Sequence, residues 1–229
     1  MSPGTATAYD LNVSNSRDER LALAALLEET GPGAATLCAG WLTGDLAAHL
    51  VLRERRPDAA AGVMGGPIAP YTARVQRRYL KRHSYSELVA MFRNGPPRLS
   101  PLALPGADEQ ANTVEYFVHH EDVRRAQPDW EPRAISDGLS DALWRHVKGA
   151  RFFLRKAPVG VELARDNGGV KDAPGAGPYR VTVKNATPTV TVIGPPAELT
   201  MWAMGRTSAA NVRFDGTGEA IAALRAWRS

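Results

Sequence analysis

The feature that most constrains this chain is a change of hydrophobic period near Lys156. Upstream, apolar residues recur at the three-to-four-residue spacing of amphipathic helices. Downstream, the runs VGVELAR (159–165), YRVTVKN (179–185) and TVTVIG (189–194) are rich in β-branched residues and set off by glycine, proline and asparagine. A helix buries one stripe of its surface and a strand buries one face, so such a switch demands two units with cores of different shape. The expectation is a larger helical domain over 1–156 and a smaller α+β domain over 157–229.

Within the first unit, residues 17–29 join good helix formers to helically spaced apolar residues, and Gly31-Pro32-Gly33 stops them. A second helix is predicted from Thr43 to about Arg56, with Thr43 as N-cap, Leu42, Leu46 and Leu50 on one face, and Pro57 as the stop. After a Gly-rich break at 62–66, residues 69–82 form a third, and Ser84 opens a short fourth, where Ser84 and Glu87 have capping-box spacing. The proline-rich stretch 96–107 reads as a loop, 108–126 as strongly helical, and 137–154 as one further helix capped by Ser136. In the second unit the strands are expected to be antiparallel, with 168–178 (GGVKDAPGAGP) as a flexible hairpin loop. A helix from Pro195-Pro196 through Met204, a strand at 212–214 and a helix at 217–227 complete a β-β-β-α-β-α order.

A hydrophobic content of 44% suits ordinary globular cores. No run approaches the ~18–20 apolar residues that cross a bilayer, and the N-terminus lacks a basic region followed by an apolar one. Membrane insertion and secretion are therefore not expected, and the predicted location is cytoplasmic. Cys38 is the only cysteine, which rules out an internal disulfide and a four-cysteine zinc site. The net charge of +4 is a weak pull on anions. The charge is clustered, with Arg53, Arg55 and Arg56 in one group and Arg74, Arg77, Arg78, Lys81 and Arg82 in another. Such runs are ordinarily solvated helix faces, with anion binding as the alternative. No DNA-reading arrangement accompanies them, and neither nucleic acid nor membrane is an expected partner.

Glu115 and His119 carry the most chemistry. Four residues apart on a helix they share a face, with Cβ atoms roughly 5–6 Å apart, so carboxylate and imidazole can meet one cation. Ala111, Val114 and Val118 flank the pair on one side, and Tyr116 and Val123 on the other. A polar stripe between apolar flanks needs compensation, either from a metal or from a hydrogen-bonded ion pair. His49, beside Leu46 and Leu50, adds a second imidazole; two imidazoles and a carboxylate make the three-ligand set of an open zinc site, equally suited to nickel or iron. Asp45 and Asp122 are candidate acceptors that would orient the histidines, although Asp45 also suits the first turn of its helix. His83, His120 and His146 read as surface residues, and Cys38 as a small half-buried one.

The run Trp41-Leu42-Thr43-Gly44-Asp45-Leu46-Ala47-Ala48-His49 and the later Glu115-Tyr116-Phe117-Val118-His119-His120-Glu121-Asp122 resemble two motifs of the DinB-like, mycothiol-dependent maleylpyruvate isomerase family of actinobacterial proteins. Ala197-Glu198-Leu199 through Gly205-Arg206, then Phe214-Asp215-Gly216, resemble that family's C-terminal pattern. The resemblance implies an N-terminal DinB-like four-helix bundle with a smaller C-terminal α+β domain similar to sterol carrier protein. It also implies a divalent metal, zinc first, on His49, Glu115 and His119, with mycothiol as cofactor. The implied activity is thiol transfer or isomerisation on a small electrophile, with Arg206 anchoring a carboxylate or oxyanion, and a homodimer is compatible with it. The alternative is a non-catalytic protein that binds a metal or an apolar ligand.

Overall fold

The computed structural model describes residues 14–60, 62, 66–97, 100, 107–166 and 179–228. Most of the Gly-rich break and the proline-rich stretch, and all of 168–178, lie outside these residues.

The first helix, α1 (Asn15–Thr30), is capped by Ser14, whose hydroxyl accepts from Arg17 N–H. It packs against α5 (Tyr85–Arg93) and α6 (Ala107–Arg124), while α2 (Thr43–Arg55) packs against α5 and α4 (Ala69–Arg82). A single turn, α3 (Pro57–Ala60), follows α2. Leu23 and Leu27 of α1, Leu46 and Leu50 of α2, Val89 and Phe92 of α5 and Tyr116 of α6 share one core and are fully buried. Each such side chain contributes about 1.5–3 kcal/mol through burial.

Two expectations for α2 are corrected. Leu42 stands outside the helix and is 48% exposed, so the buried stripe starts at Leu46. Thr43 is not the cap: its hydroxyl donates to the Gly31 carbonyl, tying α2 to the end of α1, while the Asp45 carboxylate accepts Leu42 N–H. The capping box at Ser84 and Glu87, and the Ser136 cap, form as predicted.

The predicted helix 137–154 is divided into α7 (Asp137–His146), a 3-10 turn at Val147–Gly149, and α8 (Ala150–Leu154). Gly149, a poor helix former, sits in that break. Trp144, Val147, Ala150 and Leu154 face the sheet and join its core, so residues preceding 157 complete the second hydrophobic cluster.

The sheet is mixed, which corrects the antiparallel expectation. Its order is β2 (Arg180–Lys184), β1 (Gly160–Arg165), β3 (Thr189–Gly194), β4 (Arg213–Asp215). β1 is antiparallel to β2 and parallel to β3, and β3 is antiparallel to β4. The link 185–188 crosses the start of β1 and returns the chain on its other side, in β1's own direction. Gly160 permits that crossing, since a Cβ there would collide with the Ala186 carbonyl oxygen.

Between β3 and β4 lies α9 (Pro196–Ala203), buried on every side. It touches the sheet and also α6 and α7, where Phe117, Val118, Leu139, Leu143, Ala197 and Met201 form a joint cluster. Glu198 of α9 takes a two-pronged bond from Arg125, just past α6, at 2.7 and 2.8 Å. Arg125 also donates to Glu121 at 2.6 Å, and the guanidinium is buried. This clamp fixes the segment after α9 against the end of α6, which sets the position of Arg206. α10 (Gly218–Arg228) closes the core through Ala220 and Leu224.

Candidate metal centre

His49 comes from the middle of α2 and Glu115 and His119 from successive turns of α6. His49 is buried to 1%, its ring 5.0 Å from that of Trp41 and 5.1 Å from that of His119. Glu115 Oε1 lies 3.4 Å from His49 Nε2 and 3.0 Å from His119 Nε2. One ligand atom from each residue falls within 4.8 Å of the others. Ligands of a tetrahedral ion with bonds of about 2.0–2.2 Å stand roughly 3.3–3.6 Å apart, so small side-chain adjustments would admit one.

Behind His119 a second set of bonds fixes its orientation. Its Nδ1 lies 2.9 Å from Asp122 Oδ2, one turn along α6. Asp122 is fully buried and takes Arg206 Nε at 2.8 Å on one oxygen and Nη2 at 2.6 Å on the other. The Cys38 thiol donates to the same carboxylate at 3.1 Å, and Arg206 Nη2 is 3.5 Å from its sulfur. Cys38, His119 and Asp122 thus form a second group of ligand atoms within 4.8 Å of one another, but an Arg206 charge occupies its mouth.

The titration behaviour follows from these contacts. Burial pushes His49 down to about 4, so it is neutral and keeps a lone pair. Burial would also lower His119, but bonds to Asp122, Cys38 and Glu115 outweigh it and raise its pKa well above the usual imidazole range. Burial would raise Glu115, yet His119, His49 and Arg53 hold it well below the usual carboxylate range. Asp122, also opposed by burial, is brought to about 2 by His119 and Arg206.

Arg53 belongs here rather than to the solvated cluster assigned to it: its Nε is 3.3 Å from Glu115 Oε1 and its Nη1 donates to Asn112 at 3.0 Å. His49 lines one wall of a cavity of about 320 Å³ between α2 and α4, with Trp41, Asp45, Gln76 and Arg77. Asp45 serves the start of α2 and, among the described residues, makes no bond to a histidine. His120, expected at the surface, is buried and paired with Glu19 at 3.0 Å, an acid that also takes Arg133 at 2.7 Å. His83 follows the end of α4 half-buried, and His146 Nδ1 lies 2.8 Å from the Ala142 carbonyl. Arg206 reaches the centre through Asp122, a partner 84 positions away that no local pattern announces.

Fold and site together define a helical protein with an appended mixed-sheet unit and a His/Glu/His cluster between α2 and α6, its two imidazoles buried and its carboxylate half-buried. The fold, helices followed by the mixed-sheet unit, is similar to that of the solved mycothiol-dependent maleylpyruvate isomerase, with a TM-score of 0.51 and 17% identity over 88% of this chain and 90% of that one. At this identity the likeness is one of fold. No protein-family model and no curated protein matches the chain.

Proposed function

We propose that this chain is a metal-dependent thiol transferase or isomerase, acting on a small electrophile with a low-molecular-weight thiol such as mycothiol. The observation that carries this reading is the convergence of His49 Nε2, Glu115 Oε1 and His119 Nε2, in a fold shared with an enzyme that depends on mycothiol. The donor set fits a divalent ion: a neutral buried imidazole, a carboxylate held ionised, and a second imidazole whose Nδ1 is engaged by Asp122 and whose Nε2 proton, now shared with Glu115, an incoming ion would displace. Zinc is the first choice, and nickel or iron would take the same ligands. A bound ion would supply Lewis acidity that lowers a thiol's pKa, so that the thiolate predominates at neutral pH.

The chain's own residues then have distinct tasks. Asp122 holds the His119 ring, and Arg206 holds Asp122. Arg53 balances the charge of Glu115. The cavity that has His49 in its wall is where a small molecule would dock beside the cluster. The further role of Arg206 as anchor for a carboxylate or oxyanion is tested by titrating thiol into the Arg206→Ala protein: unchanged binding would remove it. Bundle and sheet unit are read as counterparts of a DinB-like bundle and a sterol-carrier-like domain.

A second reading, a binding protein for an apolar ligand, draws on a cleft of about 200 Å³ lined by Val114, Leu143, Val147, Phe153 and Met204. Mycothiol titration of the zinc-loaded protein by calorimetry separates the two. Binding that is lost in His119→Ala supports the enzyme, and its absence in a zinc-loaded wild type favours the apolar binder.

A further inference from the structure

The two basic clusters of the sequence meet in space. Arg55 and Arg56, at the end of α2, and Arg78, Arg82 and His83, at the end of α4, line one polar cavity of about 320 Å³, floored by Tyr79 and Met91. The group lies apart from the His/Glu/His cluster, since Arg53 alone turns toward Glu115. Arg55 is pinned by bonds from Nη2 to the carbonyls of Met91 and Gly95, at 3.4 and 3.3 Å, and its buried Nε has no hydrogen-bond partner among the described residues. Arg56 is held by Asp58 at 2.7 and 2.9 Å and also donates to Tyr71. Arg78 and Arg82 are exposed and have no acidic partner among the described residues. Glu87, four residues on from His83, is engaged in the cap of α5.

Cations at helix C-termini are ordinarily explained by the macrodipole, and here two such ends converge. Each end carries roughly half a negative charge. Together with Asp58 they offset about two of the four guanidiniums, leaving a surplus of about two positive charges in a concave site. A phosphate monoester carries about 1.5–2 negative charges at neutral pH, and planar guanidiniums bond its oxygens in pairs. Arg74, Arg77 and Lys81 continue the positive surface along α4, and they extend the attraction beyond the cavity.

We propose that this cavity binds the phosphate group of a small phosphorylated ligand, with Arg55 and Arg56 preset and Arg78 and Arg82 closing on it. The test is calorimetric titration of the full chain with pyrophosphate at about 0.15 M salt, where surface attraction is screened beyond ~8 Å. One-to-one binding, weakened at least tenfold in the Arg78→Ala, Arg82→Ala double variant, is the expected result. The exposed pair Arg145→Ala, Lys148→Ala, in α7 and the turn after it and outside the cavity lining, should leave it unchanged. Sedimentation with phosphatidylcholine vesicles containing phosphatidic acid, whose headgroup is a phosphate monoester, forms the second arm. Binding to vesicles alone, lost in the same double variant, would place the phosphate on a lipid headgroup. No binding in either arm, or equal loss in the two double variants, would overturn the proposal.

Discussion

Replacing Asp122 by asparagine removes the one group that joins His119, Cys38 and Arg206. The change keeps the side-chain shape and deletes the charge. The fall of the Asp122 pKa from an ordinary 3.8 to about 2 corresponds to about 2.5 kcal/mol, at ~1.4 kcal/mol per pH unit. Because the folded pKa lies below the unfolded one, this stability is fully present above pH ~4 and disappears as pH falls toward 2. Metal-free Asp122→Asn protein should therefore unfold in urea with about 2–3 kcal/mol less stability at pH 7. The gap to wild type should narrow below pH 4. Zinc affinity should fall 10–100-fold, as expected when the acceptor behind a ligating histidine is lost. Equal urea midpoints at pH 7 together with unchanged zinc affinity would show that Asp122 neither stabilises the fold nor orients His119.

Arg125→Met should cost about 3–5 kcal/mol by urea unfolding, because it leaves buried Glu198 and Glu121 without that guanidinium. Gly160→Ala should lower the melting temperature by several degrees, since its Cβ would collide with the Ala186 carbonyl oxygen and sit 2.7 Å from Thr189 Oγ1. Cys38→Ser retains a donor for Asp122 and should leave metal stoichiometry unchanged in plasma mass spectrometry, with stability within about 1 kcal/mol of wild type.

The parts of the fold legible in the sequence are those encoded locally. Ser84 and Glu87 announce a capping box by spacing alone, and Glu115 and His119 announce a shared helical face. Neighbour relations in the sheet are not local: a period of two shows that β1 and β3 are strands but carries no information that they lie parallel and adjacent. The same limit hides His120, whose polarity suggests the surface until Glu19, 101 positions earlier, is brought against it. His49 stands 66 positions from Glu115, and only its apolar flanks and the family resemblance linked the two. Cys38 has no basic neighbour in sequence, yet the end of α9 delivers Arg206 beside it from 168 positions away.

His49, Glu115 and His119 are proposed to form one metal site. Its most direct test is metal content by plasma mass spectrometry on untagged protein supplied with zinc, for wild type and for His49→Ala, Glu115→Ala and His119→Ala, each checked for folding by circular dichroism. About one ion per wild-type chain, lost in every folded variant, is the expected result. A folded wild type that stays metal-free, or folded variants that keep the ion, would contradict it.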